Sequence, residues 1–197
     1  MIVRTGIVVA LAAVAAVSAC SSGTPAAPPK APSFTTSGSS SPTSGNRSFP
    51  KICSEVARPD EVADILQVGI TGQIDRVLGV PEPKIGRTAR IDCYYGIPEG
   101  ADRAAAVVTI GLASYTDEAS ARKRMNATVS DEKAAGSKPT EIPVGPDRGV
   151  LLNGKRRTLV AVRAASTVVV SVAPDLVPEE QAASLMGKLA DRVFTPR

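Results

Sequence analysis

The chain has 197 residues, a formal net charge of +4 at pH 7, three cysteines, and neither histidine nor tryptophan. Without imidazole, a Ser-His-Asp triad, a Cys-His pair and His-ligated zinc centres are excluded. The mild positive excess and the few aromatic rings, three Tyr and three Phe, argue against nucleic-acid binding, which draws on dense basic charge and stacking planes.

In chain order, Arg4 supplies a short positive end, Gly6 to Ala19 an apolar segment, and the small residues Val17-Ser18-Ala19 stand just before Cys20. The apolar run falls short of the roughly 20 residues that a transmembrane helix needs. The junction resembles the lipobox of bacterial lipoprotein signals. That resemblance implies a signal peptide over residues 1–19, cleavage before Cys20, and acyl chains such as palmitate carried at Cys20. The expected location is the extracytoplasmic face of the bacterial cell membrane, reached through the lipid anchor. Each buried methylene contributes about 0.8 kcal/mol, so two or three chains tether the protein stably.

Residues 20–49 follow the anchor and are dominated by Ser, Thr, Pro, Gly and Ala, with only Lys30 and Arg47 charged. So little apolar surface cannot offset the entropy of ordering the segment. A disordered stalk is predicted, with a reach on the order of 30 Å. Its hydroxyls also offer sites for sugars.

Residues 50–197 are predicted to form one globular α+β domain. Pro59, Asp60 and Glu61 open a helix with Val62, Ile65 and Leu66 on one face and Gly69 at its end. Ile70 to Leu78 is ambiguous. A strand from Arg90 to Ile97 turns at Glu99-Gly100-Ala101 into a Val- and Ile-rich strand within Ala104 to Tyr115. Thr116 is expected to cap a second helix, which starts at Asp117 and Glu118 and runs to Ala135.

Val150 to Leu152 should pair with Arg157 to Arg163 across Asn153-Gly154, and Thr167 to Ala173 should return beside them. A last helix opens at Pro178-Glu179-Glu180. Its Ala182, Leu185, Met186, Leu189, Ala190, Val193 and Phe194 recur at spacings of three and four and must cover a sheet. The pattern is a mainly antiparallel sheet packed by about three helices. Val107-Val108 and Val168-Val169 each precede a helix at similar offsets, a faint repeat of strand then helix.

With Cys20 assigned to lipid, Cys53 and Cys93 are the remaining pair in an exported, oxidising setting, and a disulfide between them is expected. Over a loop of roughly 40 residues it contributes about 4 kcal/mol in the chain-entropy description.

Catalytic patterns fail individually. Gly149 to Lys155 has the skeleton of a phosphate loop, but Arg156 stands where Ser or Thr should hold magnesium. Ser130 and Lys133 match S-x-x-K without its companion motifs. The acidic pairs Asp60/Glu61, Asp117/Glu118 and Glu179/Glu180 fall at helix starts, where negative charge is stabilising. Arg122-Lys123-Arg124 reads as the outer face of a helix. Lys155, Arg156 and Arg157 read as a hairpin tip projecting three charges toward lipid headgroups or an acidic partner.

Lipobox, stalk, a Cys53 to Cys93-Tyr94 pair and a closing Pro-Glu-Glu helix together resemble small mycobacterial and other actinobacterial lipoproteins with domains of unknown function. Some relatives in that group have folds like the photosystem extrinsic protein PsbP, which implies sheet-and-helix layers here. No catalytic residue is carried over. The expected role is a non-enzymatic, membrane-anchored binding or adaptor protein of the cell envelope, with no cofactor, no metal and no nucleic acid. A lipid or glycolipid carrier with an apolar cavity is the first alternative, and a hydrolase the second. An apolar cavity between sheet and helices would favour the carrier, and a filled core with an exposed apolar patch the adaptor.

Overall fold

The computed structural model describes residues 48–195; the expected signal peptide, Cys20 and the expected stalk up to Arg47 lie outside the described residues. Seven strands form one antiparallel sheet in the order β1-β2-β3-β7-β6-β5-β4. They are β1 Gln73–Gly79, β2 Arg87–Ile97, β3 Val108–Tyr115, β4 Lys138–Val144, β5 Asp147–Asn153, β6 Arg157–Arg163 and β7 Ser166–Val172. The helices are α1 Cys53–Val56, α2 Pro59–Leu66, α3 Glu118–Ala134 and α4 Glu179–Phe194. The architecture is α+β, as the sequence pattern implies.

Side chains alternate between the two faces of a strand, and the two faces of this sheet are packed differently. On one face, Ile91, Cys93 and Tyr95 of β2, Ile110 of β3, Leu159 of β6 and Val168, Val170 and Val172 of β7 join Val62 and Leu66 of α2 and the apolar side of α4 in the main core. The α4 helix buries Ala182, Leu185, Met186, Leu189, Ala190 and Val193 there. Polar ties reinforce this layer. Arg163 of β6 reaches Asp147 Oδ2 at 2.6 Å and Asp191 Oδ1 of α4 at 2.7 Å, and Arg192 of α4 contacts Glu61 of α2 at 3.2 Å.

The Cys53–Cys93 disulfide joins α1 to β2, with the Cα atoms 5.6 Å apart. Beside it the buried Tyr95 hydroxyl donates to the carbonyl of Ala57 at 2.8 Å, and burial pushes that phenol above its usual range.

On the opposite face lies α3, whose only fully buried residue is Ala121. The two strand-then-helix units therefore place their helices on opposite faces of the sheet. Asp117, not Thr116, caps α3: its carboxylate accepts from the Ser120 N–H at 2.7 Å.

Other boundaries shift. The ambiguous stretch becomes edge strand β1, and Gln67, with φ 58°, ends α2 ahead of Gly69. The whole of β4 is unforeseen. Its Pro139 and Pro143 discourage a strand reading, yet prolines are tolerated on the edge position that β4 occupies.

Candidate functional site

The hairpin tip does not gather its three charges. Asn153 pairs directly with Arg157, leaving Gly154, Lys155 and Arg156 as the loop. Gly154 does not adopt the positive φ of a two-residue turn; it is small because a Cβ there would collide with Ser137 Oγ. Arg156 folds back to donate from Nε to Ser171 Oγ at 3.0 Å and from Nη2 to the Val107 carbonyl at 3.2 Å. Arg157, at the start of β6 opposite Val172, donates to the Val177 carbonyl ahead of α4. Only Lys155 points freely into solvent, so the projected cluster is corrected to a single lysine.

A more organised surface lies on the α3 face. Because α3 lies mainly over β6, β7, β3, β5 and β4 and not over β2, a cleft of about 210 Å³ opens beside it. The register sets a row of hydroxyls across the sheet: Tyr94 of β2 faces Thr109 of β3, which faces Ser171 of β7, which faces Thr158 of β6. Ser171 Oγ accepts from Arg156 and from Thr158 Oγ1 at 3.2 Å.

One step along the strands lies Asp92, 8% exposed and held by a two-pronged contact from Arg90, at 2.7 Å from Nε and 3.0 Å from Nη2. That hydrogen-bonded pairing raises the Arg90 guanidinium pKa against the opposing effect of burial. Gly111, opposite Asp92 on β3, makes room for the carboxylate, since a Cβ there would sit 2.8 Å from Asp92 Oδ1.

The far wall is the underside of α3. Arg124, Met125 and Thr128 line the cleft, spaced as one side of a helix. Arg124, read from sequence as part of an outward basic run, therefore faces the sheet; Arg122 instead pairs with Glu118 and Lys123 is exposed. Tyr94, Thr109, Thr167 and Arg124 make no side-chain hydrogen bond or ion pair among the described residues. Arg156 has no carboxylate partner among them either, and burial lowers its pKa. The sequence carried a signal here: in Arg90-Ile91-Asp92-Cys93-Tyr94-Tyr95 the strand alternation places Arg90, Asp92 and Tyr94 on the side away from the cysteine.

The sheet edges differ as well. Edge strand β4 carries Lys138, Pro139, Glu141 and Pro143, the charges and prolines that discourage strand pairing. Edge strand β1 has no proline, and its Ile74 and Leu78 are 44% and 52% exposed. Both occupy the core-side face, opposite Tyr95 and Ile91, where α1 and the start of α2 come alongside Ile74 but leave both side chains partly uncovered. Ile52 and Val80 extend this apolar strip.

Asp75 of β1 points to the other side. Its carboxyl is held below the usual range by the Arg103 side chain and then by the Arg76 N–H.

The rejected motifs have ordinary positions. Ser130 and Lys133 are exposed on the last turns of α3, and Gly149 to Lys155 runs along β5 into the hairpin. Among the described residues, no group of three or more His, Cys, Asp or Glu side chains is placed to hold a metal, and no helix is long and apolar enough to cross a membrane. A hollow of about 540 Å³ is walled by Phe49, Pro50, Val193 and Phe194 together with Ser54, Glu55, Ser114 and Ser166. It is open to solvent and mixed in polarity.

No protein-family model matches the chain, and no curated protein matches it. Among solved structures, the extracellular domain of PknH from Mycobacterium tuberculosis is similar with a TM-score of 0.47 and 13% sequence identity, over 72% of this chain and 93% of that one.

Proposed function

We propose that this protein is a non-enzymatic accessory lipoprotein of the bacterial cell envelope, anchored through lipid at Cys20, which docks another envelope protein along its β1 edge. The observation that carries the reading is the contrast between the two edges. β4 is guarded by prolines and charges, whereas β1 has no proline along its open edge and leaves Ile74 and Leu78 uncovered beside it. The apolar layer between sheet and α4 is filled by side chains. That packing supports an adaptor over a carrier.

Partner chemistry follows from the order of side chains. Ile74, Arg76 and Leu78 share a face of β1, so an added strand bearing an acidic residue between two apolar ones complements them. A second copy does not: the antiparallel register that sets Ile74 against Leu78 sets Arg76 against Arg76, and like charges directly opposite are unfavourable.

The test places a photo-crosslinking residue at Leu78, and in a separate protein at Thr140 of the guarded edge, in cells that express the full chain. A discrete adduct from position 78 that disappears with Ile74→Asp is expected. Equal adducts from both edges, or none from position 78, would contradict docking at β1. Metabolic labelling with a fatty-acid analogue tests the anchor separately: label is expected on wild type and absent from Cys20→Ala.

A further inference from the structure

The cleft beside α3 makes a demand of its own, independent of the β1 edge. A helix that covers a sheet ordinarily presents an apolar stripe to it, yet the side of α3 facing the cleft carries Arg124 and Thr128 beside Met125. Arginine is placed toward a half-buried surface at the cost of partial desolvation, which is recovered when a carboxylate or another acceptor meets it. No described carboxylate does so. The acid on this floor, Asp92, is already engaged on both oxygens by Arg90, so that pair is electrically neutral and Arg124 leaves the cleft with uncompensated positive charge.

Outside the cleft lining, Arg156, also without a carboxylate, is held against the row by Ser171 and the Val107 carbonyl. Within the cleft, Tyr94 and Thr109 offer hydroxyls that make no hydrogen bond among the described residues.

We infer that this cleft is a binding site for a small oxyanion, a carboxylate or phosphate group carrying hydroxyls, with Arg124 donating to the anion and the Tyr94–Thr109 row orienting the hydroxylated part. Planar guanidinium forks suit such groups, and charge-assisted hydrogen bonds to them are about twice as strong as neutral ones. At about 210 Å³ the space lies below the roughly 300–1,000 Å³ of drug-sized pockets, so the ligand is a few carbons in size or the polar headgroup of a larger molecule.

The chain supplies its own reporter. It has no tryptophan and three tyrosines, of which Tyr94 and Tyr115 line the cleft, so tyrosine fluorescence reads occupancy directly. The full-length chain in neutral detergent is titrated with glycerol 3-phosphate, inorganic phosphate and neutral glycerol, and separately with phosphatidylglycerol vesicles. Saturable change with glycerol 3-phosphate and none with glycerol is expected. Arg124→Gln should weaken binding about tenfold or more, as for the loss of a charge-assisted contact, with an unchanged melting temperature. The neighbouring exposed Lys123→Gln should bind as wild type.

Vesicle binding alone, abolished by Arg124→Gln, would assign the same site to a lipid headgroup. Binding of glycerol as strong as that of glycerol 3-phosphate, equal binding by Arg124→Gln, or equal losses in the Lys123 and Arg124 variants would overturn the site. Thr109→Val, which leaves the charge intact, should reduce affinity for glycerol 3-phosphate more than for inorganic phosphate. The same loss for both would remove the hydroxyl row from the proposal.

Discussion

The two long helices lie on opposite faces of one sheet and are held in different ways. On its face, α4 buries a continuous apolar stripe and adds the Arg163–Asp191 and Arg192–Glu61 contacts. On the other, α3 buries one alanine fully, packs Met125 into a small cluster with Ala113, Tyr115 and Val162, and makes no side-chain hydrogen bond or ion pair to a strand among the described residues. Hydrophobic burial dominates the stability of packed helices, while exposed i,i+4 pairs such as Glu118–Arg122 add little. One helix therefore belongs to the core, and the other is a loosely seated cover over a floor of mixed polarity.

The largest expected effect that sharpens this contrast comes from truncating matched positions. Leu189→Ala, at a fully buried site, should cost about 2–5 kcal/mol in urea unfolding. Met125→Ala, half-buried on α3, should cost less than about 1 kcal/mol, because much of its surface is already in water. Comparable losses at the two sites would mean that α3 is as much a part of the core as α4.

A smaller, local effect is expected at the α3 cap. The Asp117 carboxyl is held below the usual range by the Ser120 backbone N–H first and the Thr116 hydroxyl next. A group whose pKa is lower in the folded state stabilises fully above its unfolded value, about 3.9, and loses that contribution as pH falls through the folded one. Acidification from pH 5 to 3 should thus fray the start of α3, seen as lower amide protection, relative to the intrinsic exchange rate at each pH, at Ala119 to Arg122. Asp117→Ala should bring the same fraying at pH 7 and remove its pH dependence. The start of α4 lacks a side-chain cap bond and should not share this response.

What the sequence disclosed follows the same division. The α4 helix was legible because apolar residues repeat at its period, and β2, β3, β6 and β7 because they alternate or run apolar between turn residues. The cysteine pair was legible by number and by the oxidising setting that the lipobox resemblance implies. The α3 element was legible as a helix but not in its orientation: with a polar residue on every side, periodicity cannot separate the face over the sheet from the face in water, so Arg124 passed for surface charge. β4 was hidden by its two prolines, which mean an edge as readily as a loop.

The charged hairpin misled for another reason. Neighbouring residues in extended chain leave in opposite directions, so Arg156 turns to Ser171 on one face and Arg157 to Val177 at the other. The cleft depends on which strands become neighbours. The Tyr94–Thr109–Ser171 row exists only once β7 inserts beside β3, a pairing between segments far apart in the chain.

The difference between the two helices is tested most directly by residue-resolved amide hydrogen exchange on the full-length chain under native conditions. Exchange reports the free energy of each local opening, up to that of global unfolding. The amides of α4, from Ala183 to Val193, should exchange only through global unfolding, about 5–15 kcal/mol for a domain of this size. Those of α3, from Arg122 to Ala134, should exchange through a separate opening well below that value and insensitive to low denaturant. Protection of α3 equal to that of α4, with the same denaturant dependence, would contradict a sealed face set against a loosely covered one.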